Sequence, residues 1–274
     1  MDQRIRDLHN QTRDAWDIVA REKYRVEFDD HVALLRSGGD TLLEPESSVL
    51  RPLLPGAHVV HLQCSHGLDT LGLVNAGAEA VSGVDISPEM IDQARKKAEA
   101  TGLQGRFYVA DAVNPPPELA GAADVVYTGR GSLPWILDLG PWSKAVRILL
   151  REGGHLFLFE GHPLDAMWNR DAAELALRHE ASYFASDPRE HPGFPASVVK
   201  RSMGDGGPKL LERYWRPGQL IDALVQEGLT ILHFREYSVQ FWEQFPKWPD
   251  DLRNRLPHSY SILARLGTIV PQTY

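Results

Sequence analysis

The sequence predicts an α/β protein with a doubly wound, mostly parallel seven-stranded sheet, preceded by an N-terminal helical cap and interrupted by an inserted lid. The first reason is a β–α–β unit over residues 58–85, where two short apolar runs flank a helical pattern. The second is that strands and helices continue to alternate over residues 87–160. The third is that an acid, Asp85 and then Asp111, ends two consecutive strands. Because the carboxyl ends of strands in such a sheet border the ligand crevice, these acids predict where the site lies.

Composition is that of an ordinary globular protein and argues against several functional classes. The chain has 274 residues, 43% hydrophobic and 24% charged, which suffices for a large core. Its net charge of −8 argues against a nucleic-acid partner or an anionic membrane surface, since both attract basic proteins. No apolar run approaches the ~20 residues of a membrane span, and residues 1–11 do not resemble a signal peptide. The single cysteine, Cys64, excludes internal disulfides, so the expected location is the cytoplasm.

The β–α–β unit has the features of a nucleoside site. Residues 59–62 form an apolar run typical of a strand buried on both faces. A turn at 63–67 precedes the helical pattern of 68–74, and a second apolar run at 80–84 ends in Asp85. In such units the turn and the helix N-terminus approach a ligand, while an acid about 20 residues on binds ribose hydroxyls. The unit therefore predicts a nucleoside-containing cofactor.

The remaining elements follow from hydrophobic periodicity and from helix-start and turn residues. Residues 1–36 carry a helical apolar stripe, so residues 1–54 are predicted to form the cap and residues 55–274 the main domain. Beyond the β–α–β unit, helices are predicted at 87–100, 142–150 and 218–227, and strands at 106–110, 123–127, 155–160, 229–237 and 259–266.

Residues 161–216 break this alternation and are predicted to form a lid over the crevice. The lid contains an amphipathic stretch at 172–179, and two alternating segments at 197–203 and 209–215 that predict a β-hairpin. Its basic residues are typical of a solvated surface but also suit an anionic acceptor; they are Lys200, Arg201, Lys209, Arg213 and Arg216. Its aromatic residues suit packing within the lid, an aromatic or isoprenoid acceptor, or a homodimer contact; they are Trp168, Tyr183, Phe184, Tyr214 and Trp215.

Three stretches resemble a known family: HLQCSHGLDTLGLVNAGA at 61–78, YTGRGSLPW at 127–135 and FEGHP at 159–163. Together with the two strand-end acids and the final helix and strands, they resemble the class I S-adenosylmethionine-dependent methyltransferases, in particular a bacterial branch acting on small molecules. The resemblance covers about residues 10–266. It implies a Rossmann-like methyltransferase fold and transfer of a methyl group from S-adenosylmethionine to an oxygen, nitrogen or carbon atom of a small molecule in secondary metabolism.

The resemblance also implies a role for individual residues. Asp85 would bind both ribose hydroxyls, with Ile86 packed on adenine, and Asp111 would accept a hydrogen bond from the adenine amino group. The turn after the first strand would border the methionine part, Thr128 and Gly129 would face the sulfonium, and the cap would close over it. The implied cofactor-binding set is Trp16, Tyr24, Gln63, Cys64, Ser65, Gly67, Asp85, Ile86, Asp111, Ala112, Thr128 and Gly129. For Trp16 and Tyr24, simple anchoring of the cap is an equal alternative.

The turn departs from the family pattern D-x-G-x-G-x-G. His61 stands in place of the acid, and Gln63 and Ser65 in place of two glycines. A nicotinamide dehydrogenase is the alternative for an acid after the second strand, but its pyrophosphate must approach glycine backbone closely, which these side chains would obstruct. The departures therefore favour a cofactor without phosphate. They leave the methionine ammonium without the usual strand-end acid.

Three residues are candidates for the chemistry of methyl transfer. Glu160 and His162 follow the fifth strand at the crevice edge, so either could act as general base; the alternative is that both are structural. Arg130, just after the fourth strand, suits an acidic substrate group, a pair with Glu160, or a purely structural cation. Cys64 is predicted to be a small buried residue at the cofactor turn rather than a nucleophile.

No metal site is predicted. On a strand, His58 and His61 point to opposite faces and cannot share an ion, and no other cluster has the spacing of metal ligands. A second functional class stays open, namely a protein of the same fold that binds the cofactor without transferring methyl, such as a cyclase or a structural partner.

Overall fold

A computed structural model describes residues 3–179, 181–191 and 210–267 of the chain. The main sheet consists of β1 (His58–Leu62), β2 (Ala80–Asp85), β3 (Arg106–Val109), β4 (Ala123–Gly129), β5 (Leu150–Gly161), β8 (Leu229–Tyr237) and β9 (Ser259–Leu266). A separate two-stranded ladder pairs β6 (Arg189–Glu190) with β7 (Leu211–Glu212). The helices are α1 (Gln3–Val19), α2 (Phe28–Arg36), α3 (Glu44–Leu50), α4 (Leu68–Asn75), α5 (Pro88–Thr101), α6 (Leu139–Leu149), α7 (Pro217–Gln226) and α8 (Asp250–Arg253).

The strand order of the main sheet is β3-β2-β1-β4-β5-β9-β8. Strands β1 to β5 pair in parallel, whereas β9 runs antiparallel to both of its neighbours. The direction of winding reverses between β1 and β4, and a crevice opens at such a switch point outside the carboxyl ends of the strands. The predicted fold class, a doubly wound seven-stranded sheet with an N-terminal helical cap, is confirmed.

The sheet is buried on both faces because its central strands are apolar on both sides. Val59, Val60 and Leu62 of β1 are fully buried. One face packs on α6 and α7 in a core that includes Trp142, also fully buried. The other face packs on α3 and α4 in a core that includes Phe157. This two-sided burial holds the carboxyl ends of β1, β2 and β4 in a fixed arrangement.

Most element ends agree with the predictions, and the differences have local causes. The strands predicted at 229–237 and 259–266 have those ends as β8 and β9. Helix α6 begins at Leu139, three residues earlier than predicted, because the Asp138 side chain accepts a hydrogen bond from the Gly140 backbone and caps the helix. Strand β5 begins at Leu150 rather than at residue 155.

The cap lies over the carboxyl edge of the sheet. Helix α1 continues through a π-helical turn, Ala20–Tyr24, before α2 begins. Asp17 accepts hydrogen bonds from the Ser87 hydroxyl and from the Glu89 backbone, which attaches α1 to the start of α5. These contacts place one face of α1 above the crevice. The domain boundary at residue 54 remains a prediction.

The secondary structure of the lid differs from the prediction. The stretch at 172–179 contains turns and one bridge, between Trp168 and Leu177, rather than a helix. Leu177 is 64% exposed, so no buried apolar face supports a helix here. Of the predicted hairpin, residues 197–203 and 209 lie outside the described part of the chain. In its described part, Leu211–Glu212 pairs with Arg189–Glu190.

Candidate cofactor and active site

A cavity of about 400 Å³ lies between the cap and the carboxyl ends of β1, β2 and β4. Most of the predicted cofactor-binding residues line it, although they come from five separate segments of the chain. They are Trp16, Tyr24, Gln63, Cys64, Ser65, Asp85, Ile86, Asp111, Ala112 and Gly129. The predicted residues Gly67 and Thr128 are not among those lining the cavity.

In the turn after β1, two residues other than glycine adopt a left-handed backbone conformation that usually favours glycine. Gln63 and Ser65 have φ values of 56° and 50°, in the left-handed region that few residues other than glycine adopt. Two contacts support this conformation: the Gln63 amide donates to the Ser132 carbonyl at 2.7 Å, and the Ser65 backbone N–H donates to Asp85. Gly67 instead allows close helix packing, since a Cβ there would lie 2.5 Å from the Ala94 Cβ.

Asp85 connects the turn with the end of β2. Its two carboxylate oxygens accept the backbone N–H groups of Ser65 at 2.8 Å and Ser87 at 2.9 Å. Burial raises the pKa of Asp85 to about 6, although these two hydrogen bonds oppose the shift. Each carboxylate oxygen keeps a second lone pair that can accept a ligand hydroxyl. The geometry therefore presents a fixed, ionised acceptor to the cavity at neutral pH.

Asp111, at the end of β3, also lines the cavity and is held from two sides. Its Oδ1 accepts the Val113 backbone N–H at 3.1 Å, and its Oδ2 lies 2.7 Å from Nδ1 of His9 on α1. His9 is only 4% exposed. Thr12 and Trp16 lie on the same face of α1 and also line the cavity. His9 and Thr12 were not predicted as site residues; their three-to-four-residue spacing with Trp16 was the available signal.

Arg130 also lines the cavity and lies within a network of acidic side chains. Its Nη2 is 2.8 Å from Asp69 Oδ2, and its Nε is 3.5 Å from Glu46 Oε1. Glu46 is fully buried and accepts a hydrogen bond from the Tyr127 hydroxyl; burial raises the pKa of Glu46. Burial alone would lower the pKa of Arg130, but the neighbouring Tyr127, Asp69 and Glu46 raise it above its usual value. The guanidinium is therefore permanently charged.

His61 stands in the position of the missing strand-end acid. Its Nδ1 lies 2.8 Å from the Thr70 hydroxyl, and burial lowers the pKa of His61 to about 4. The imidazole is therefore neutral at neutral pH and cannot supply the charge that an aspartate would. Burial raises the pKa of the Cys64 thiol, which is therefore protonated and a poor nucleophile.

The two predicted base candidates are not brought into the cavity. Glu160 is 2% exposed and accepts three backbone N–H groups, those of Gly131 at 2.6 Å, Gly161 at 2.8 Å and Leu133 at 2.9 Å. It holds the turn after β4, as the structural alternative expected. It makes no ion pair with Arg130 among the described contacts.

His162 is also buried away from the cavity, at 4% exposed. The Leu164 backbone donates to its Nδ1 at 3.2 Å, so its Nε2 carries the hydrogen and donates to Glu236 at 3.0 Å. Thr128 is buried as well and bonds Ser132. The physical reason is that strand pleating and the turn after β5 direct these side chains toward neighbouring protein groups rather than into the crevice.

Aromatic side chains also line the cavity, but they are not the ones predicted in the lid. Trp135, Phe241 and Trp242 line the cavity together with Trp16, which meets Trp135 edge-to-face at 5.5 Å. Phe241 and Trp242 come from the loop after β8, more than 100 residues from the turn. The predicted lid aromatics Trp168, Tyr183, Phe184, Tyr214 and Trp215 do not line the cavity.

The lid cations that the structure describes stack on aromatic rings. The Arg213 guanidinium lies 3.9 Å from the Trp215 ring and that of Arg216 lies 5.2 Å from the Phe184 ring. Lys200, Arg201 and Lys209 lie outside the described residues. Neither described arginine lines the cavity, so the suggested role in binding an anionic acceptor receives no support from them.

Two further properties concern metals and membranes. Within residues 3–179, 181–191 and 210–267, no group of three His, Cys, Asp or Glu side chains is arranged to hold a metal ion. Among the helices of the same ranges, none combines the length and hydrophobicity that crossing a bilayer requires.

The cavity residues fit an adenosine joined to an amino-acid group. Two carboxylates end adjacent strands, and two buried polar atoms, Nε2 of His9 and Oε1 of Gln63, have no hydrogen-bond partner among the described residues. Such atoms are normally satisfied, by protein, water or a ligand. The turn carries the side chains of Gln63 and Ser65 where the family pattern has glycines, which is compatible with a cofactor that carries no phosphate.

Comparison with known proteins agrees with this geometry. Residues 59–154 match a family model described as a methyltransferase domain. A ubiquinone biosynthesis O-methyltransferase of Xanthomonas axonopodis pv. citri (strain 306) is 33% identical over 135 residues, which are 49% of this chain and 52% of that protein. The chain thus spans about half the length of the curated relatives it matches.

Solved structures share the fold at low sequence identity. A putative S-adenosylmethionine-dependent methyltransferase from Listeria monocytogenes is 20% identical, with a TM-score of 0.59, over 80% of this chain and 96% of that chain. The [4+2]-cyclase SpnF is 17% identical, with a TM-score of 0.53, over 81% of each chain. Residues 59–154 are therefore similar to a methyltransferase domain, and the described part of the chain shares its fold with solved S-adenosylmethionine-dependent methyltransferases.

Proposed function

We propose that this chain transfers the methyl group of S-adenosylmethionine to an oxygen, nitrogen or carbon atom of a small molecule and releases S-adenosylhomocysteine. One observation carries the proposal: Asp85 and Asp111, at the ends of the adjacent strands β2 and β3, line the same cavity beside the turn that follows β1. Two carboxylates at the ends of adjacent parallel strands suit the ribose and the base of one nucleoside. A setting in secondary metabolism remains part of the proposal.

Each part of the cavity would have a distinct role. Asp85 accepts from the ribose hydroxyls, Ile86 packs on the base, and Asp111 accepts from its amino group. The bound cofactor supplies an electrophilic methyl group on a sulfonium. Trp16, Trp135 and Trp242 would exclude water and orient the acceptor, and alignment of the two reacting atoms can contribute much of the rate of a displacement.

The placement of Glu160 and His162 bears on the acceptor. A general base matters most when the nucleophile holds its proton tightly. Both candidates are buried outside the cavity, and burial raises the pKa of the cavity residue Tyr24 to about 12, so this phenol also stays protonated. We therefore favour an oxygen acceptor that loses its proton near neutral pH more readily than a simple phenol does. The matched relative named as an O-methyltransferase is consistent with this choice.

A second candidate function is cofactor binding without methyl transfer. We retain this candidate because the chain shares its fold with a [4+2]-cyclase. The nicotinamide alternative is not supported, because residues 59–154 match a methyltransferase domain. The test is calorimetric titration with S-adenosylhomocysteine, followed by incubation with methyl-labelled S-adenosylmethionine and panels of phenols, amines and thiols. Labelled product supports methyl transfer, and binding without product from any acceptor supports the second candidate. No binding overturns both.

The expected setting of the protein belongs to the same proposal. We propose a cytoplasmic location because the single cysteine can form no internal disulfide. We propose a small-molecule substrate rather than nucleic acid or a membrane because the net charge is −8. Pairing with a second copy remains a prediction for the lid, where Leu177 and Phe184 are 64% and 75% exposed.

A further inference from the structure

The cofactor of the proposed function ends in an amino acid, whose ammonium must be paired in a partly buried cavity. His61 occupies the strand-end position where the family pattern has an acid, and burial keeps its imidazole neutral. A different group must therefore meet the ammonium in this chain. This inference rests on the proposed function and deepens it.

Four carboxylates line the cavity: Glu27, Asp69, Asp85 and Asp111. Asp85 and Asp111 lie at the nucleoside end, and Glu27 pairs with Lys23 on the cap at 2.8 Å. Asp69 is the second residue of α4, directly after the turn, and its side chain is 34% exposed. Its charge acts on Tyr24 and His61, which also line the cavity: it adds to the rise in the pKa of Tyr24, which burial chiefly causes, and opposes the fall in the pKa of His61.

Asp69 is held firmly but not saturated. Its Oδ1 accepts the Thr41 hydroxyl at 2.5 Å, and its Oδ2 lies 2.8 Å from Arg130 Nη2. A carboxylate offers about four lone-pair sites, so each oxygen can accept a further bond from the cavity side. Arg130 in turn lies 3.5 Å from Glu46, so its guanidinium is shared between two acids and does not belong to Asp69 alone. Asp69 therefore retains acceptor capacity for a cationic donor on the cavity side.

We propose that Asp69 binds the ammonium group of the cofactor's methionine part, in place of the missing strand-end acid. Arg130 and Thr41 position the carboxylate of Asp69 for this contact. The helix after the turn thus performs a role that the family pattern gives to the strand before it. Arg130 is a positioning residue in this arrangement, not a catalytic base.

The test compares three ligands that share adenosine and sulfur. S-adenosylhomocysteine carries both ammonium and carboxylate, its deaminated analogue carries the carboxylate alone, and 5′-methylthioadenosine carries neither. The variant is Asp69→Asn, which keeps an acceptor for Thr41 and removes the charge. Calorimetry measures the dissociation constant of each ligand for the wild-type and variant proteins, and circular dichroism checks that both are folded.

A charge-assisted hydrogen bond is worth about 1.5–3 kcal/mol, so Asp69→Asn should weaken S-adenosylhomocysteine binding by at least about tenfold. Binding of 5′-methylthioadenosine and of the deaminated analogue should change less than about twofold, because neither presents the ammonium. The control is Asp92→Asn, which removes an exposed carboxylate paired with Lys96 on α5, outside the cavity, and should change no affinity.

The outcomes separate this inference from the proposed function. If the wild-type protein binds none of the three ligands, the proposed function is overturned. If it binds them and Asp69→Asn weakens all three equally, or weakens none, the assignment of the ammonium to Asp69 is overturned. A loss confined to S-adenosylhomocysteine supports it.

Discussion

His9 Nδ1 lies 2.7 Å from Asp111 Oδ2 and so connects the cap helix α1 with the end of β3, across 102 positions of sequence. Because an ionised carboxylate only accepts hydrogen bonds, Nδ1 is the donor, and the second ring nitrogen of His9 is Nε2. That atom is buried without a partner among the described residues. This one hydrogen bond therefore contributes both to docking of the cap and to orientation of the proposed adenine-binding carboxylate.

Replacement of His9 by phenylalanine should weaken cofactor binding. His9→Phe keeps a ring in the buried site but removes the donor to Asp111, and loss of a hydrogen bond to a charged group corresponds to about tenfold in affinity. The measurement is the dissociation constant of S-adenosylhomocysteine. Arg13→Ala, an exposed change on the same helix, is the control and should have no effect. Equal or tighter binding by His9→Phe would mean that His9 competes with adenine for Asp111.

Cofactor affinity should fall below about pH 6, where Asp85 takes up a proton. A protonated carboxyl loses acceptor capacity toward the ribose hydroxyls, so the dissociation constant should rise up to tenfold per pH unit below that value. Calorimetry from pH 5 to 8 measures this. An affinity that stays constant over the whole range would argue against Asp85 as the ribose acceptor.

The same pKa has a consequence of its own for the stability of the unliganded protein. Burial raises the pKa of Asp85 from 3.8 to about 6, so between these values the folded protein holds a proton that the unfolded chain has lost. The contribution of Asp85 to the free energy of unfolding therefore decreases as the pH rises through this window. Denaturant unfolding at pH 4.5 and 7 would show the sign when compared with Asp85→Asn, which lacks the titrating group.

Substitution of Glu160 should lower the stability of the protein, and substitution of His162 should leave its turnover nearly unchanged, which is not what a catalytic pair would show. Glu160→Gln offers one acceptor oxygen and an amide donor to three backbone N–H groups, so at least one of them loses its partner, at about 1–3 kcal/mol. His162→Ala should retain cofactor affinity and methyl-transfer turnover within a few-fold, because the ring lies outside the cavity. Thermal unfolding and steady-state kinetics measure the two effects. A folded His162→Ala protein with more than tenfold lower turnover would restore His162 as a base.

Local signals in the sequence were sufficient for the framework. Strand ends at 229–237 and 259–266 were predictable because alternating apolar residues and flanking turn formers are local features. The approach of Asp85 to Asp111 was predictable because parallel neighbouring strands bring their carboxyl ends to one edge. Both inferences required only periodicity and sequential order.

Only the tertiary structure decided which other side chains face the cavity. His9, Asp69 and Trp242 enter it because of how α1, α4 and the loop after β8 pack around the sheet edge, and this packing has no local signature. The same holds for the left-handed turn at Gln63 and Ser65, whose unusual backbone is stabilised by hydrogen bonds from distant residues. Sequence order therefore determined the sheet and its two acids, whereas contacts between distant segments determined what surrounds them.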